Sequence, residues 1–198
     1  MQATVERAPA PPEDRVVAAA LRCVARWGLA KTTVDDVARE AGVGRATLYR
    51  LFPGGRDALF AAVAGHEVGA LLARLRAAAD AAGSIEDVVV AWLGEAATAV
   101  AEHAALQFLL AHEPESVLPH LAFGRLDALL ERASASAAPF LAPWLPDGED
   151  RARAVEWMAR VVLSYTLSPS RDVNLRDADS ARRFARAFIL PGLTRSVA

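Results

Sequence analysis

The chain of 198 residues holds a single cysteine, Cys23. No disulfide can form within it, and a reduced, cytoplasmic setting is the simplest expectation. Aromatic residues make up only 7% of the sequence, and β-branched runs are few, which disfavours a sheet protein. Long apolar runs are also missing. The longest stretch without Asp, Glu, Lys or Arg is Ala133–Pro146, about 14 residues interrupted by three prolines, where a membrane-spanning helix needs about 20 apolar residues. The segment Met1–Pro12 reads MQATVERAPAPP, with Glu6 where a secretory leader needs an apolar core, so no such leader is expected. Lysine is nearly absent: of 22 basic residues only Lys31 is lysine.

What the chain has in quantity is alanine, about 45 residues. Alanine is the strongest helix former and buries little area, so the 54% hydrophobic content points to an all-α protein. The length allows one domain or two small ones. The net charge of −2 argues at first against a nucleic-acid partner, but it is unevenly spread. Residues 1–60 carry nine Lys/Arg and seven Asp/Glu (9 − 7 = +2), against thirteen and seventeen in residues 61–198 (13 − 17 = −4). A small basic module on an acidic body fits this pattern.

Residues 1–12, polar and rich in proline, read as a disordered arm. From Glu13 to Trp27, Val16, Val17, Ala20, Leu21 and Val24 recur at helical spacing, and Gly28 ends the helix. A second helix starts at Thr33, where Asp36 three residues on completes a capping-box pattern, and Gly42 closes it. A short helix from Arg45 to Phe52 follows Val43-Gly44. Two helices across a short glycine-containing turn make a helix-turn-helix. Beyond Pro53-Gly54-Gly55 the pattern predicts a long helix from Arg56 to about Asp80, then helices over Ser84–His103, Ala104–His112 and Ser116–Ser136 with a break near Pro119. A proline-punctuated Pro139–Leu145 and two last helices, Asp150–Leu167 and Asp179–Leu190, complete the chain. Residues 13–55 thus form the helix-turn-helix domain and 56–198 a larger helical bundle.

In such a motif the second helix enters the major groove while the first braces it. Val43, Leu48 and Leu51 or Phe52 can pack against Val34, Val37 and Ala41, leaving Arg45, Ala46, Thr47, Tyr49 and Arg50, preceded by Gly44, on the outer surface. Arg45 can read guanine or pair with phosphate, Ala46 and Thr47 can touch a thymine methyl, and Tyr49 can donate to a phosphate. Lys31, Thr32 and Thr33 at the start of the bracing helix, and Arg56 at the start of the long helix, are further phosphate candidates.

The stretch TTVDDVAREAGVGRATLYRLFPGGRDALFAAV, Thr32–Val63, resembles the DNA-binding segment of the TetR family of bacterial transcriptional repressors. Its Thr-Thr-Val, Ala-x-x-Ala-Gly-Val and Thr-Leu-Tyr-x-x-Phe-Pro elements stand at fixed spacing, and FARAFILPGL at Phe184–Leu193 is similar to the end of many actinobacterial members. The resemblance implies an all-α homodimer with a three-helix DNA-binding head and a larger ligand-binding and dimerisation bundle. It also implies double-stranded operator DNA, in inverted repeat, as a partner, and a small-molecule effector that spreads the heads, with the helix beginning at Arg56 as lever. Gly44 and Gly55 depart from the Ser, Thr or Asn common there, which removes hydroxyl contacts but keeps an acceptable cap.

Other functions find little support in the sequence. His66, His103, His112 and His120 never stand at i, i+4 and have no cysteine neighbour, so neither a metal site nor a cofactor is expected. No Gly-x-Ser-x-Gly or paired acid–base spacing points to an enzyme. A helical ligand-binding or scaffold protein without operator binding is the alternative. For an effector, Trp92, His103, Gln107, Phe108, His112, Phe123 and Trp144 would line a cavity suited to a hydrophobic or aromatic molecule, or would form ordinary bundle core. Val155, Met158, Val161, Val162 and Tyr165 make one stripe, and Ala181, Phe184, Ala185 and Phe188 another, with Arg182, Arg183 and Arg186 turned away. Those stripes serve intrachain packing or, as the resemblance implies, a four-helix dimer interface.

Overall fold

The computed structural model describes residues 11–121 and 125–194, and among them every regular element is helical. The arm proposed for residues 1–12 lies outside the described residues as far as residue 10. Helix α1 spans Pro12–Trp27 and begins one residue earlier than expected, because Pro12 at the first helical position sacrifices an N–H that has no partner there anyway. Helix α2, Val34–Ala41, starts at the predicted capping box: Thr33 Oγ1 accepts the Asp36 N–H, and the Asp36 carboxylate accepts the Thr33 N–H, each at 3.2 Å. Gly42 closes it in the left-handed conformation, φ 64°. From α1, the Arg15 guanidinium donates to the Ala41 and Gly42 carbonyls at 2.7 and 3.0 Å, filling acceptors that the helix end leaves open. Helix α3 covers Arg45–Leu51.

These helices share a core of Val16, Val17, Ala20, Cys23, Val34, Val37, Ala41, Leu48 and Phe52, which Leu59 and Val63 of helix α4, Gly55–Ala81, complete. By length and composition α4 is apolar enough to cross a membrane, a property that the search for charge-free runs missed. Four of its apolar residues are buried, Leu59 and Val63 in this core and Leu75 and Ala79 in the next, while Val68 between them is exposed.

Two compact units emerge. The first holds the described residues up to Glu67 together with Ala104–Glu113, the segment containing helix α6, Ala104–His112, which packs on α1. The second holds Val68–His103 and the described residues from Pro114 onward. It contains α5, Ile85–Glu102, capped by Ser84 as predicted, and α7, Pro114–Leu121, with Pro119 inside it rather than at a break. After α8, Arg125–Ala137, a 3-10 turn at Ala138–Leu141 leads toward α9, Gly148–Leu167. The last helical stretch is α10, Ala178–Phe184, a wider π turn at Ala185–Ile189, and α11, Leu190–Thr194. The π turn lies just ahead of Pro191, whose ring crowds the carbonyl four residues back and offers it no N–H.

Packing in the second unit bears on both stripes read from the sequence. Val155, Met158, Val162 and Phe184 are buried in the core that α5, α8, α9 and α10 build with Val88, Val89, Leu93 and Leu141. That stripe is consumed by the chain's own core. Arg183 and Arg186 are exposed and Arg182 half-buried, turned away from the apolar stripe as expected, but two of them are engaged with α5: Arg182 meets Glu86 at 2.7 Å and Asp87 at 3.3 Å, and Arg186 Nε reaches both Glu86 oxygens at 3.0 Å. The large apolar side chains left exposed on the last helices, among the described residues, are Trp157, Leu167 and Phe188, the last 62% exposed. Gly192 lies against Trp157 so closely that a Cβ there would stand 2.6 Å from the ring.

Candidate nucleic-acid interface

Leu48 is fully buried and Phe52 nearly so, and they fix the inner face of α3. With a period of 3.6 residues, anchoring one face presents the opposite one to solvent. Arg45, Ala46, Tyr49 and Arg50 are exposed there, Thr47 is half-buried, and Gly44 is the exposed N-cap. Arg45 Nη1 pairs with Asp35 Oδ2 at 2.9 Å, and its guanidinium stands over the Tyr49 ring, 5.5 Å from the centroid. The arginine and the tyrosine thus form one polar, planar surface at the start of the helix, and Asp35 of α2 belongs to it. The sequence reading did not name Asp35; its place at the second position of α2, ten residues before Arg45, is the signal that was available.

The phosphate candidates divide. Lys31 is exposed, as is Thr33. Thr32 is 1% exposed, and its hydroxyl donates to the Gly28 carbonyl at 2.6 Å, so that side chain cannot reach a ligand. The backbone N–H groups of Thr32 and Thr33 are already bonded, to Leu29 O and to Asp36. The first residues of α2, Val34 and Asp35, carry the N–H groups that helix geometry leaves open to an anion. Asp36 is held below the usual carboxylate range, first by the Thr33 hydroxyl and then by its N–H, so this end of α2 keeps a negative charge beside the open donors.

Arg56 is engaged as well. Its guanidinium donates to Leu29 O at 2.6 Å and Thr32 O at 3.4 Å and stands 5.1 Å from the centroid of Phe60. Through these bonds it serves the α1–α2 turn. The same turn is held from its other side by Glu113, a residue singled out by nothing in the sequence: its Oε2 accepts the N–H groups of Leu29 and Ala30 at 2.9 and 3.1 Å. Burial first, then Glu40 and Asp36, raise the pKa of the Cys23 thiol, which disfavours the nucleophilic thiolate.

The residues named for an effector are distributed over both units. Gln107, Phe108 and His112 stand on α6 in the first, where the Phe108 and His112 rings stack at 4.3 Å. Trp92, His103 and Trp144 belong to the second; Trp92 is a core residue, its indole N–H bonded to Leu75 O at 2.8 Å and its ring edge-on to Phe140. Phe123 lies outside the described residues. Two surface hollows of about 420 Å³ each are lined by other residues, one by Arg22, Arg26, Trp27 and Glu40, the other by Glu131, Ser134, Pro139 and Arg151. Among the described residues no group of three or more His, Cys, Asp or Glu is placed to hold a metal ion.

Residues 16–63 match the family model described as bacterial regulatory proteins, tetR family. No curated protein matches the chain. Among solved structures, the chain is similar to the TetR family repressor AlkX of Dietzia sp., implicated in biodegradation of n-alkanes, at 24% identity over 93% of this chain and 96% of that one, TM-score 0.65. It is similar at 15% identity to the fatty acid degradation regulator FadR of Bacillus halodurans, over 93% and 99%, TM-score 0.63. A regulator of Streptomyces coelicolor A3(2), SCO7518, shares 16% identity over 90% and 98%, TM-score 0.64. At these identities the likeness shows the fold: a helix-turn-helix head with a helical body.

Proposed function

We propose that this chain, whose residues 16–63 match the model of the tetR family of bacterial regulatory proteins, is a transcriptional repressor that binds a palindromic operator as a homodimer in the cytoplasm and is released by a small hydrophobic or aromatic molecule. The observation that carries the DNA-binding part is the outward face of α3, where Arg45, Ala46, Tyr49 and Arg50 stand exposed on a helix locked by buried Leu48. An exposed aromatic beside two arginines is costly to leave in water without a partner and suits base edges and phosphates. The reading function is assigned to residues 13–55, with Lys31 and the open end of α2 on phosphate, and ligand binding and dimerisation to residues 56–198.

The dimer face is assigned to the side chains that the body leaves outward, Trp157, Leu167 and Phe188. An isologous contact through them would repeat one head per half-site. Release requires that the effector bind the DNA-incompetent state more tightly, and the factor by which it weakens operator binding is that difference in affinity. The effector class is supported by the half-buried aromatics Phe108 in one unit and Phe140 and Trp144 in the other.

The test is a binding titration of the purified protein on the duplex lying upstream of its own reading frame and on a random-sequence duplex of equal length. Tighter binding to the former, falling steeply between about 50 and 200 mM salt, is expected. Equal, salt-insensitive binding to both would overturn the reading.

A further inference from the structure

In the five residues between α1 and the cap of α2, four backbone groups are held by two side chains from elsewhere in the first unit: the Leu29 and Ala30 N–H groups by Glu113, and the Leu29 and Thr32 carbonyls by Arg56. Gly28 continues the α1 ladder through its N–H to Val24 O at 2.9 Å, and its carbonyl receives the Thr32 hydroxyl. Leu29 gives its N–H to Glu113 and takes Arg56 on its carbonyl; Ala30 gives its N–H to the same Glu113 oxygen. Two successive N–H groups aimed at one point form a small anion-binding nest, and a carboxylate of the protein already fills it.

Gly28 is what lets the carboxylate in. Its backbone, φ 84° and ψ 169°, lies in a region open essentially to glycine alone. Independently, a Cβ at Gly28 would stand 1.9 Å from Glu113 Oε1 and 3.1 Å from Phe108 Cε1. Glu113 is in turn anchored by its own backbone, whose N–H extends α6 to Leu109 O at 2.8 Å, and α6 packs along α1. The segment Ala104–Glu113 is the one stretch of chain beyond Glu67 that belongs to the first unit, and at both ends it continues into the second.

We infer that Glu113 is a positioning residue of the DNA-binding head: by holding the Leu29 and Ala30 N–H groups it sets the α1–α2 turn, and with it the placement of α2 and the reading helix α3. The turn is a stretch with no helical ladder of its own, so losing the carboxylate frees two donors and the angle at which α2 leaves α1. The core under α2, with Val34, Val37 and Leu48, stays as it is. This inference rests on the DNA-binding reading above for its functional consequence but not for its structural content.

The experiment compares wild type, Glu113→Ala and Glu113→Gln by residue-resolved amide exchange and by titration with the upstream and random-sequence duplexes. In Glu113→Ala, exchange at Leu29 and Ala30 speeds up, the change spreads into the first turn of α2, and DNA affinity falls by about tenfold, the effect of losing a charge-assisted hydrogen bond. Glu113→Gln, whose amide oxygen still accepts both N–H groups, keeps most of the protection and most of the affinity. Unchanged exchange in Glu113→Ala overturns the proposal, and so does faster exchange with undiminished DNA affinity. Should wild type bind neither duplex, the DNA-binding reading fails on its own, and the positioning role is judged by whether the exchange change reaches α2 and α3: spread supports it, confinement to Leu29 and Ala30 overturns it.

Discussion

Glu113 and Arg56 hold opposite ends of one residue: the carboxylate accepts the Leu29 N–H at 2.9 Å, and the guanidinium donates to the Leu29 carbonyl at 2.6 Å. Arg56 adds Thr32 O and a face-on contact with Phe60, so its charge is spent inside the protein, although the side chain is exposed. Replacing it tests whether it also touches a phosphate. Arg56→Ala is expected to lower the stability of the head by about 1 kcal/mol or less, as partly exposed hydrogen bonds do. The slope of log affinity for DNA against log salt should stay that of wild type. Arg45→Ala and Arg50→Ala, by contrast, should each flatten that slope by about 0.9 if each contacts one phosphate. Salt titrations of the three variants check this; an Arg56→Ala slope reduced like the others would mean that the guanidinium leaves the turn for DNA.

The Arg45–Asp35 pair places a negative charge on a surface read as meeting phosphates. Both groups are well exposed, so Asp35→Asn should change stability by less than about 0.5 kcal/mol. Binding to a random-sequence duplex should instead tighten by about threefold, the Coulomb effect in water of removing one unit charge some 6 Å from a phosphate. Tyr49→Ala should move the other way, weakening binding to the upstream duplex by about tenfold with the fold intact by circular dichroism. Fluorescence anisotropy on the two duplexes resolves both, and an Asp35→Asn protein with wild-type affinity would remove Asp35 from the interface.

What the sequence made legible was local. The capping box at Thr33 and Asp36, the left-handed Gly42 and the outward face of α3 all depend on residues within a few positions of one another, where helix periodicity and cap chemistry act directly. Contacts between distant residues were not legible: nothing near Leu29 announces a carboxylate 84 residues away, nor does Arg15 reveal that it caps a helix 26 residues on. The α9 stripe stayed open between two readings for a different reason. Val155, Met158 and Val162 form an apolar face that either the chain's own core or a second copy would satisfy, and periodicity carries no information about which. Trp157, between Arg153 and Arg160, belongs to neither stripe named from the sequence.

That division of faces makes the dimer assignment testable. Phe188 is 62% exposed and Trp157 39%. In Phe188→Glu, and more so when Trp157→Glu is added, light scattering should report a monomer of near wild-type helicity at matched low concentration, with a melting temperature lowered only by the loss of the Phe184–Phe188 ring contact and of the Trp157 packing on Gly192. Met158→Ala removes a side chain buried in that core and should cost about 2–5 kcal/mol of stability without changing the association state of the folded fraction. A dimer that survives the double substitution would move the interface elsewhere.

The Arg182 and Arg186 contacts with α5 give the body a pH dependence of definite sign. Glu86 is held below the ordinary carboxylate range, chiefly by its hydrogen bonds with Arg186 and then Arg182, and Asp87 likewise by the Ser84 hydroxyl and Arg182. A carboxyl with a lowered pKa in the folded state contributes stability that is complete above its unfolded value, about 4, and is lost as pH falls through the lower folded value. Thermal melts of wild type and Arg186→Ala should therefore differ most at about pH 6 to 7, with the gap closing below about pH 4 as Glu86 is protonated and the arginine loses its partner. Asp36 and Asp147, lowered by their own cap hydrogen bonds, titrate alike in both proteins and cancel from the difference. A gap that persists unchanged at about pH 2.5 would assign the contribution of Arg186 to packing of its aliphatic stem rather than to the ion pair.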